Sequence, residues 1–436
     1  MSNPQEPYEI RDPVHGFIQL NGMEWEIINH PDFQRLRRIR QLGWTDMVYP
    51  GATHSRFEHS IGVMHVASRI FDALVRRNTD ILKSDYGFDV GSLMRQRRLI
   101  RLAALLHDVG HGPFSHAAEE LLPDNPQRSG KFTHEDYSVA VIEHRLRDCI
   151  ENHPEAKING IGVEGIVEIL RAPTNSSGVL VWQDLVSGQM DADRMDYLLR
   201  DAHHAGVQYG RYDLDRLIYS LRLCPDTGDT GAEVHQIGVE EGGVHALEGL
   251  LIARFMMFTQ IYFHKTRVIY DHHLVECLKE LLDSGVFPPP DKIGNFLEWD
   301  DWKVFGRISD HHGGEHGRFL RERRHYRMVY STSEKATVDE ISEIDEIQDR
   351  LTKSNCVVCD AEKSWYKSGS EEIRVWRISG GSGYSTPLQD LSPVVNGLIQ
   401  VNQRRLFVPE DCRLLAEQLI STMNRNEGNI HDEKAQ

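Results

Sequence analysis

Between Leu99 and Gly110 the chain is committed to a buried helix that ends in two chemically active side chains. Leu99, Leu102, Ala103 and Leu106 recur at helical spacing, and His107-Asp108 follow before Gly110 stops the helix. Such a stripe must be covered by other elements, so His107 and Asp108 stand at the mouth of a core. Taken alone, the pair reads as a helix-end turn. Taken as ligands, an imidazole and a carboxylate suit a borderline divalent metal. The chain holds 23 histidines, enough to make a search for further ligands the next step.

Two segments supply them. In Thr53–Ser60, Arg56 and His59 are three residues apart and share a helix face. Beyond Asp191, the residues Asp193, Tyr197 and Asp201 recur every fourth position and form one stripe. His59, His107, Asp108 and Asp193 complete a four-ligand set for a divalent metal, with Mn, Fe, Mg, Ni and Zn all open. Arg56, Arg194 and Tyr197 would surround it with phosphate-binding groups. Phosphate-ester hydrolysis needs this combination: a Lewis acid, an acidified water and a proton for the leaving group. A metalloprotease reading of His107-Asp108-Val109-Gly110-His111 fits less well. Asp is one methylene shorter than that motif's Glu, and Gly110 and Gly112-Pro113 would break the helix aligning both histidines.

Charge and composition narrow the partners. Lys and Arg number 49 and Asp and Glu 66, a net charge of −17, which argues against a charge-driven nucleic-acid coat. No apolar run approaches the roughly 20 residues that span a bilayer, and Met1–Asp12 lacks the apolar core of a signal peptide. Six scattered cysteines fit a reducing compartment, so a cytoplasmic protein without membrane contact is expected. Cys356-x-x-Cys359 has no second pair nearby and reads as a strand with two half-buried thiols.

The organisation reads as mainly α. Helical periodicity dominates from Glu24 to about Asp283, including the stripe Leu247–Tyr262 and the run Tyr270–Leu282. Short helices are expected at Ile293–Trp299 and Asp300–Asp310, and an acidic one at Asp339–Asp349. Asn355–Cys359, Ile373–Ile378 and Arg405–Val408 read as strands, and Glu410–Asn424 as a closing helix. The expected division is a helical core over residues 1–330 and a smaller α+β lobe over residues 331–436. His15 and His65 read as structural histidines, His272-His273 and His311-His312 as surface or turn residues, and Arg321–Arg327 as a basic helix face.

These motifs resemble the HD-domain metal-dependent phosphohydrolases. Asp12–Gly16, Phe33–Arg37, Gln41–Gly43, Tyr49–Ala52, Arg56–Ser60, His107–His116, Phe132–Glu135 and Asp193–Tyr197 are similar to one branch in particular. That branch holds the deoxynucleoside triphosphate (dNTP) triphosphohydrolases related to the sterile-alpha-motif-and-HD-domain protein of animals. The likeness covers roughly residues 10–330, with no room for a sterile-alpha-motif segment before it. It implies an HD-domain helical core, His59, His107, Asp108 and Asp193 as metal ligands, and His116 as proton donor to the leaving 5′ oxygen. Glu119 falls where the family has an Asp that orients that histidine. His111 and His134 match further active-site histidines. Arg56, Arg194 and Arg254 match triphosphate-binding positions, Arg194 replacing a Lys. Gln41, Leu42, Tyr197, Asp201 and Tyr262 match residues around the deoxyribose.

The resemblance also implies nucleotide activators bound between subunits of a dimer or tetramer. Gln34 and Arg37 match guanine-site positions, with Asn29 in place of an acidic residue. His264 and Lys265 match the second activator site, where Glu240 and Gly242 stand in place of two basic residues. Altered or absent activation is therefore expected. Two other functions fit the same residues: a nuclease or a phosphohydrolase of another nucleotide, and a nucleotide-sensing scaffold.

Overall fold

The computed structural model describes residues 7–171, 180–227, 233–351, 356–363, 372–398 and 400–433. The chain opens with an antiparallel hairpin, β1 (Tyr8–Asp12) against β2 (Gly16–Leu20). Asp12 closes its turn by accepting the N–H groups of Val14 and His15. Helix α1 (Gly22–Asn29) starts at a capping box formed by Asn21 and Glu24. Helices α2 (Arg56–Arg77) and α3 (Val90–Leu106) then pack side by side. Leu99, Ile100, Leu102, Leu105 and Leu106 are all at most 2% exposed, as the stripe requires. Each such side chain contributes roughly 1.5–3 kcal/mol of burial.

Helices α4 (His134–Val141) and α5 (Ala192–Ala205) complete the frame of the site, α5 lying against α2. The strands β3 (Leu221–Thr227) and β4 (Glu233–Glu240) follow as an antiparallel pair inside the stretch read as helical. Leu221 and Leu223 on one strand, and Ile237 and Val239 on the other, are buried at alternate positions. That period-two signal is too short to outweigh the helical stripes flanking it. Helix α6 (Val244–Met257) runs on through a π-type turn to Tyr262, and α7 (Lys265–Leu281) follows. By length and composition Glu241–Tyr262 could cross a membrane, but half of that window is buried within the protein. Its Glu248 and Arg254 are both buried, so the stripe is core. A short helix at Ile293–Leu297 and helix α8 (Asp301–Ser309) fall at the two expected positions, and helix α9 (Gly314–Glu322) follows them.

The remaining elements are β5 (Arg327–Ser331), α10 (Val338–Arg350), β6 (Val357–Lys363), β7 (Arg374–Ser379), β8 (Ser382–Pro387), β9 (Val401–Val408) and α11 (Arg413–Glu433). The expected strands are present, although Asn355 lies outside the described residues. The closing helix continues past Asn424 to Glu433. The region expected as one lobe serves two cores. Strands β5-β9-β6 form a sheet over Ile344, Ile347, Leu406, Val408, Ala416 and Met423. By contrast, β7 pairs in parallel with β4, giving the order β3-β4-β7-β8. Ile373, Val375, Leu388 and Val395 consequently belong to the large core. Gly238 permits this docking, since a Cβ there would sit 2.2 Å from the Arg374 carbonyl oxygen. Residues 1–330 and 331–436 thus share one sheet.

Candidate active site

Helix α2, the end of α3 and the first turn of α5 converge on four side chains. His59 is fully buried on α2. Its Nδ1–H donates to Asp196 Oδ2 at 2.8 Å, which leaves the Nε2 lone pair free to point inward. His107 donates from Nδ1 to the Ala104 carbonyl at 2.8 Å, with the same result. His59 Nε2 lies 3.4 Å from Asp108 and 3.0 Å from Asp193. His107 Nε2 lies 3.3 Å from Asp108 and 3.8 Å from Asp193. Both Nε2 atoms are buried without a hydrogen-bond partner. Two inward imidazole nitrogens and two carboxylates, each oriented from behind, fit a divalent metal.

The electrostatics match that donor set. Burial opposes a charged His59, yet Asp108, Asp193 and Asp196 raise its pKa well above the ordinary value. Burial also opposes ionised Asp108 and Asp193. The Arg56 and His107 charges hold the first low, and the adjacent His107 and His59 imidazoles hold the second low. Without a metal, protons on histidine offset the carboxylates. A cation would take over that role.

The support behind His59 was not legible in the motif. Asp196 also accepts from His15 at 2.6 Å and from Arg200 at 2.8 and 2.9 Å, and Arg200 reaches Asp12 at 2.7 Å. Arg200 is fully buried. A Cβ on Gly62 would lie 2.0 Å from Asp196 and 2.3 Å from Arg200, so only glycine leaves room for the network. The Asp12–Gly16 turn carries this backing from the first hairpin. Its sequence run was the signal for it, although His15 alone reads as a structural histidine.

A second group gathers around Glu119. Its carboxylate lies 2.6 Å from His134 Nδ1, 3.1 Å from His116 Nδ1 and 3.9 Å from His111 Nδ1. His111 and His134 stack with centroids 4.0 Å apart. Burial opposes a charged His134, but the Glu119 hydrogen bond and nearby carboxylates raise its pKa to about 9. Burial, with the Arg56 and His134 charges, pushes His111 far down, so it is neutral. His111 is fully buried behind the group. The His116 side chain is 60% exposed. Glu119 therefore touches His116 as expected, with its shorter contact to His134.

A cavity of about 550 Å³ lies beside the candidate metal-ligating group. All eight expected substrate residues line it: Gln41, Leu42, Arg56, Arg194, Tyr197, Asp201, Arg254 and Tyr262. His107, Asp108, His116, His134 and Asp193 line it too, and Arg267 joins them without having been expected. Asp201 is fixed from both sides, by His54 at 2.7 Å and the Tyr262 hydroxyl at 2.6 Å. His203 and His204 do not line the cavity, and His204 stacks on His54 instead.

Comparison with known proteins matches this arrangement. A family model described as the HD domain matches residues 56–201, and one described as the HD associated region matches residues 212–362. The crystal structure of a hypothetical protein from Aquifex aeolicus superposes with a TM-score of 0.75 at 30% identity, covering 95% of this chain and 99% of that one. The chain belongs to the HD-domain, dNTPase-like family. An uncharacterized protein of Methanocaldococcus jannaschii is 36% identical over 325 residues, 74% of this chain and 58% of that protein. The human deoxynucleoside triphosphate triphosphohydrolase SAMHD1 is 33% identical over 328 residues, 69% of this chain and 49% of its own length. The chain spans less than two thirds of the curated relatives it matches.

Elsewhere in this HD-domain protein the expected residues are placed as follows. Asn29 donates to Trp25 O, Gln34 donates to Ile28 O, and Arg37 donates to Gln34 while lying 3.5 Å over the Phe57 ring. His264 caps α7 by accepting the Thr266 N–H, and Lys265 is the first residue of that helix. Arg321, Arg323 and Arg327 are engaged by Ile308 O, Met47 O and Glu410 respectively. Cys356 and Cys359 are free thiols, the first buried and the second half-buried. The expectation of a surface position for His273 is corrected. It is fully buried and lies 2.9 Å from His316, with His272 close by. Tyr326 N–H donates to its Nε2 at 3.2 Å, so Nδ1 carries the proton and donates to His316. A protonated Nδ1 cannot ligate, which makes this trio a structural hydrogen-bonded group.

Proposed function

We propose that this protein hydrolyses dNTPs to deoxynucleoside and inorganic triphosphate, using a divalent metal. One observation supports this best: two unpartnered, buried imidazole nitrogens and two carboxylates adjoin a cavity lined by four arginines and two tyrosines. His59, His107, Asp108 and Asp193 would hold the metal, which supplies a Lewis acid and an acidified water. Arg56, Arg194 and Arg254 would bind the triphosphate. Tyr197, Asp201 and Tyr262 would pack against the sugar, and the bonds fixing Asp201 give that wall a set shape. Water adds to the α-phosphorus as the bond to the 5′ oxygen breaks, and His116 gives that oxygen its proton. Glu119 holds the His116 ring from behind.

The testing experiment supplies Mn²⁺ and a mixture of dNTPs and NTPs, and identifies each product by chromatography. Deoxynucleosides with intact triphosphate, from dNTPs alone, support the proposal. Monophosphates with pyrophosphate, or turnover of NTPs alone, would assign the cavity to another nucleotide phosphohydrolase. Activation by nucleotides is the finer part of the proposal. With Asn29 in the first site and Glu240 in the second, GTP with dATP should raise activity and assembly weakly or not at all. Mass photometry with and without that pair checks it.

A further inference from the structure

Two consecutive non-glycine residues, Phe114 and Ser115, adopt left-handed backbone conformations, with φ of 57° and 58°. L-residues avoid that region, and a pair in sequence persists only where the surroundings over-determine it. His116 follows directly. The surroundings here are specific. Phe114 N–H donates to Asp301 Oδ1 at 2.8 Å, and Arg40 N–H donates to Asp301 Oδ2 at 2.8 Å. One buried carboxylate at the start of α8 therefore ties together two backbone segments. The Phe114 ring is locked between Trp44, stacked at 5.4 Å, and Phe305, edge-on at 5.3 Å.

Ser115 closes the knot. Its hydroxyl donates to the Arg40 carbonyl at 2.7 Å and accepts from Arg56 Nε at 2.8 Å. Arg56 turns its other edge to Asp108. A left-handed Ser115 is what aims this hydroxyl at Arg56 while sending the chain on to His116. We infer that Ser115 and Asp301 are positioning residues that hold Arg56 and the His116 turn in register across the cavity. The inference rests on the proposed hydrolase reading for its kinetic readout and on geometry for its structural one.

Ser115→Gly is the decisive variant, because glycine keeps the backbone conformation without strain and removes only the small hydroxymethyl group. Its expected signature is unchanged metal content, an unchanged or raised Tm, and an Arg56 guanidinium displaced in the crystal structure. Inorganic triphosphate should bind roughly 10- to 100-fold more weakly, the size of one lost hydrogen bond to a charged group. The kcat on dATP should fall roughly 10- to 100-fold, with a smaller change in KM. Asp301→Asn keeps one acceptor and loses the other, so it should lower kcat without changing metal content. An unmoved Arg56, or wild-type kcat in Ser115→Gly, overturns the inference. A lowered Tm with wild-type kcat would do the same, since it marks a purely structural role. A wild-type protein inert toward every dNTP overturns the hydrolase reading instead. A displaced Arg56 in Ser115→Gly would still support the clamp.

Discussion

His59 illustrates how a side chain's role depends on its far edge. The Nδ1 bond to Asp196 fixes the tautomer, and the tautomer decides that Nε2 can ligate. Asp196→Asn should therefore weaken metal binding about 10- to 100-fold while every ligand is retained. Metal analysis after dialysis against a graded chelator reads that loss. Asp196→Ala goes further, because Arg200 and His15 lose their shared partner inside the protein. It should cost about 3–5 kcal/mol in chemical denaturation, the scale for a broken buried ion pair. Asp193→Ala removes a ligand itself. Its dNTP turnover should fall roughly 1,000-fold, equivalent to about 4 kcal/mol of lost transition-state stabilisation, with Tm in chelator little changed. The candidate ligands were legible from spacing and chemistry. The network of Asp12, His15, Gly62, Asp196 and Arg200 was not, because it joins a hairpin to two helices far apart in sequence.

At the level of elements, the helices that carry the site follow from apolar periodicity, as Leu99–Leu106 demonstrates. The strands β3 and β4 escaped that reading. Strand pairing is satisfied by a distant partner, and the β4–β7 contact joins residues 239 and 375. This pairing makes the 373–398 segment part of the large core. Leu388, fully buried there, supplies the test. Leu388→Ala should cost about 2–5 kcal/mol and lower the same calorimetric transition that Mn²⁺ raises. A separate, earlier transition in that variant would mean that the segment unfolds apart from the active-site core.

For the whole molecule, buried histidines are expected to contribute to the pH dependence of stability. His272 and His273 are pushed down to about 4 and about 2, first by burial and then by the charge of neighbouring histidines. Their ordinary value is 6.5, so below it the unfolded chain binds more protons and stability falls as pH drops toward 4. His134 has the opposite sign. Its pKa of about 9 lies above 6.5, so its pairing with Glu119 stabilises fully below 6.5 and is lost as pH rises through 9. The metal-free Tm should peak between those limbs. His273→Asn should flatten the acidic limb, and His134→Gln the alkaline one. Sequence by itself determined the helical frame and the four candidate metal-ligating positions, because each depends on local period and on side-chain chemistry, and motif resemblance pointed to Arg254 and Tyr262 in the cavity. Tertiary structure alone decided the tautomer-fixing network, the left-handed turn at Phe114-Ser115, the burial of His273 and the sheet spanning both regions. Those features depend on which distant groups meet inside the core, and a buried polar group takes its charge and orientation from the partners it meets there.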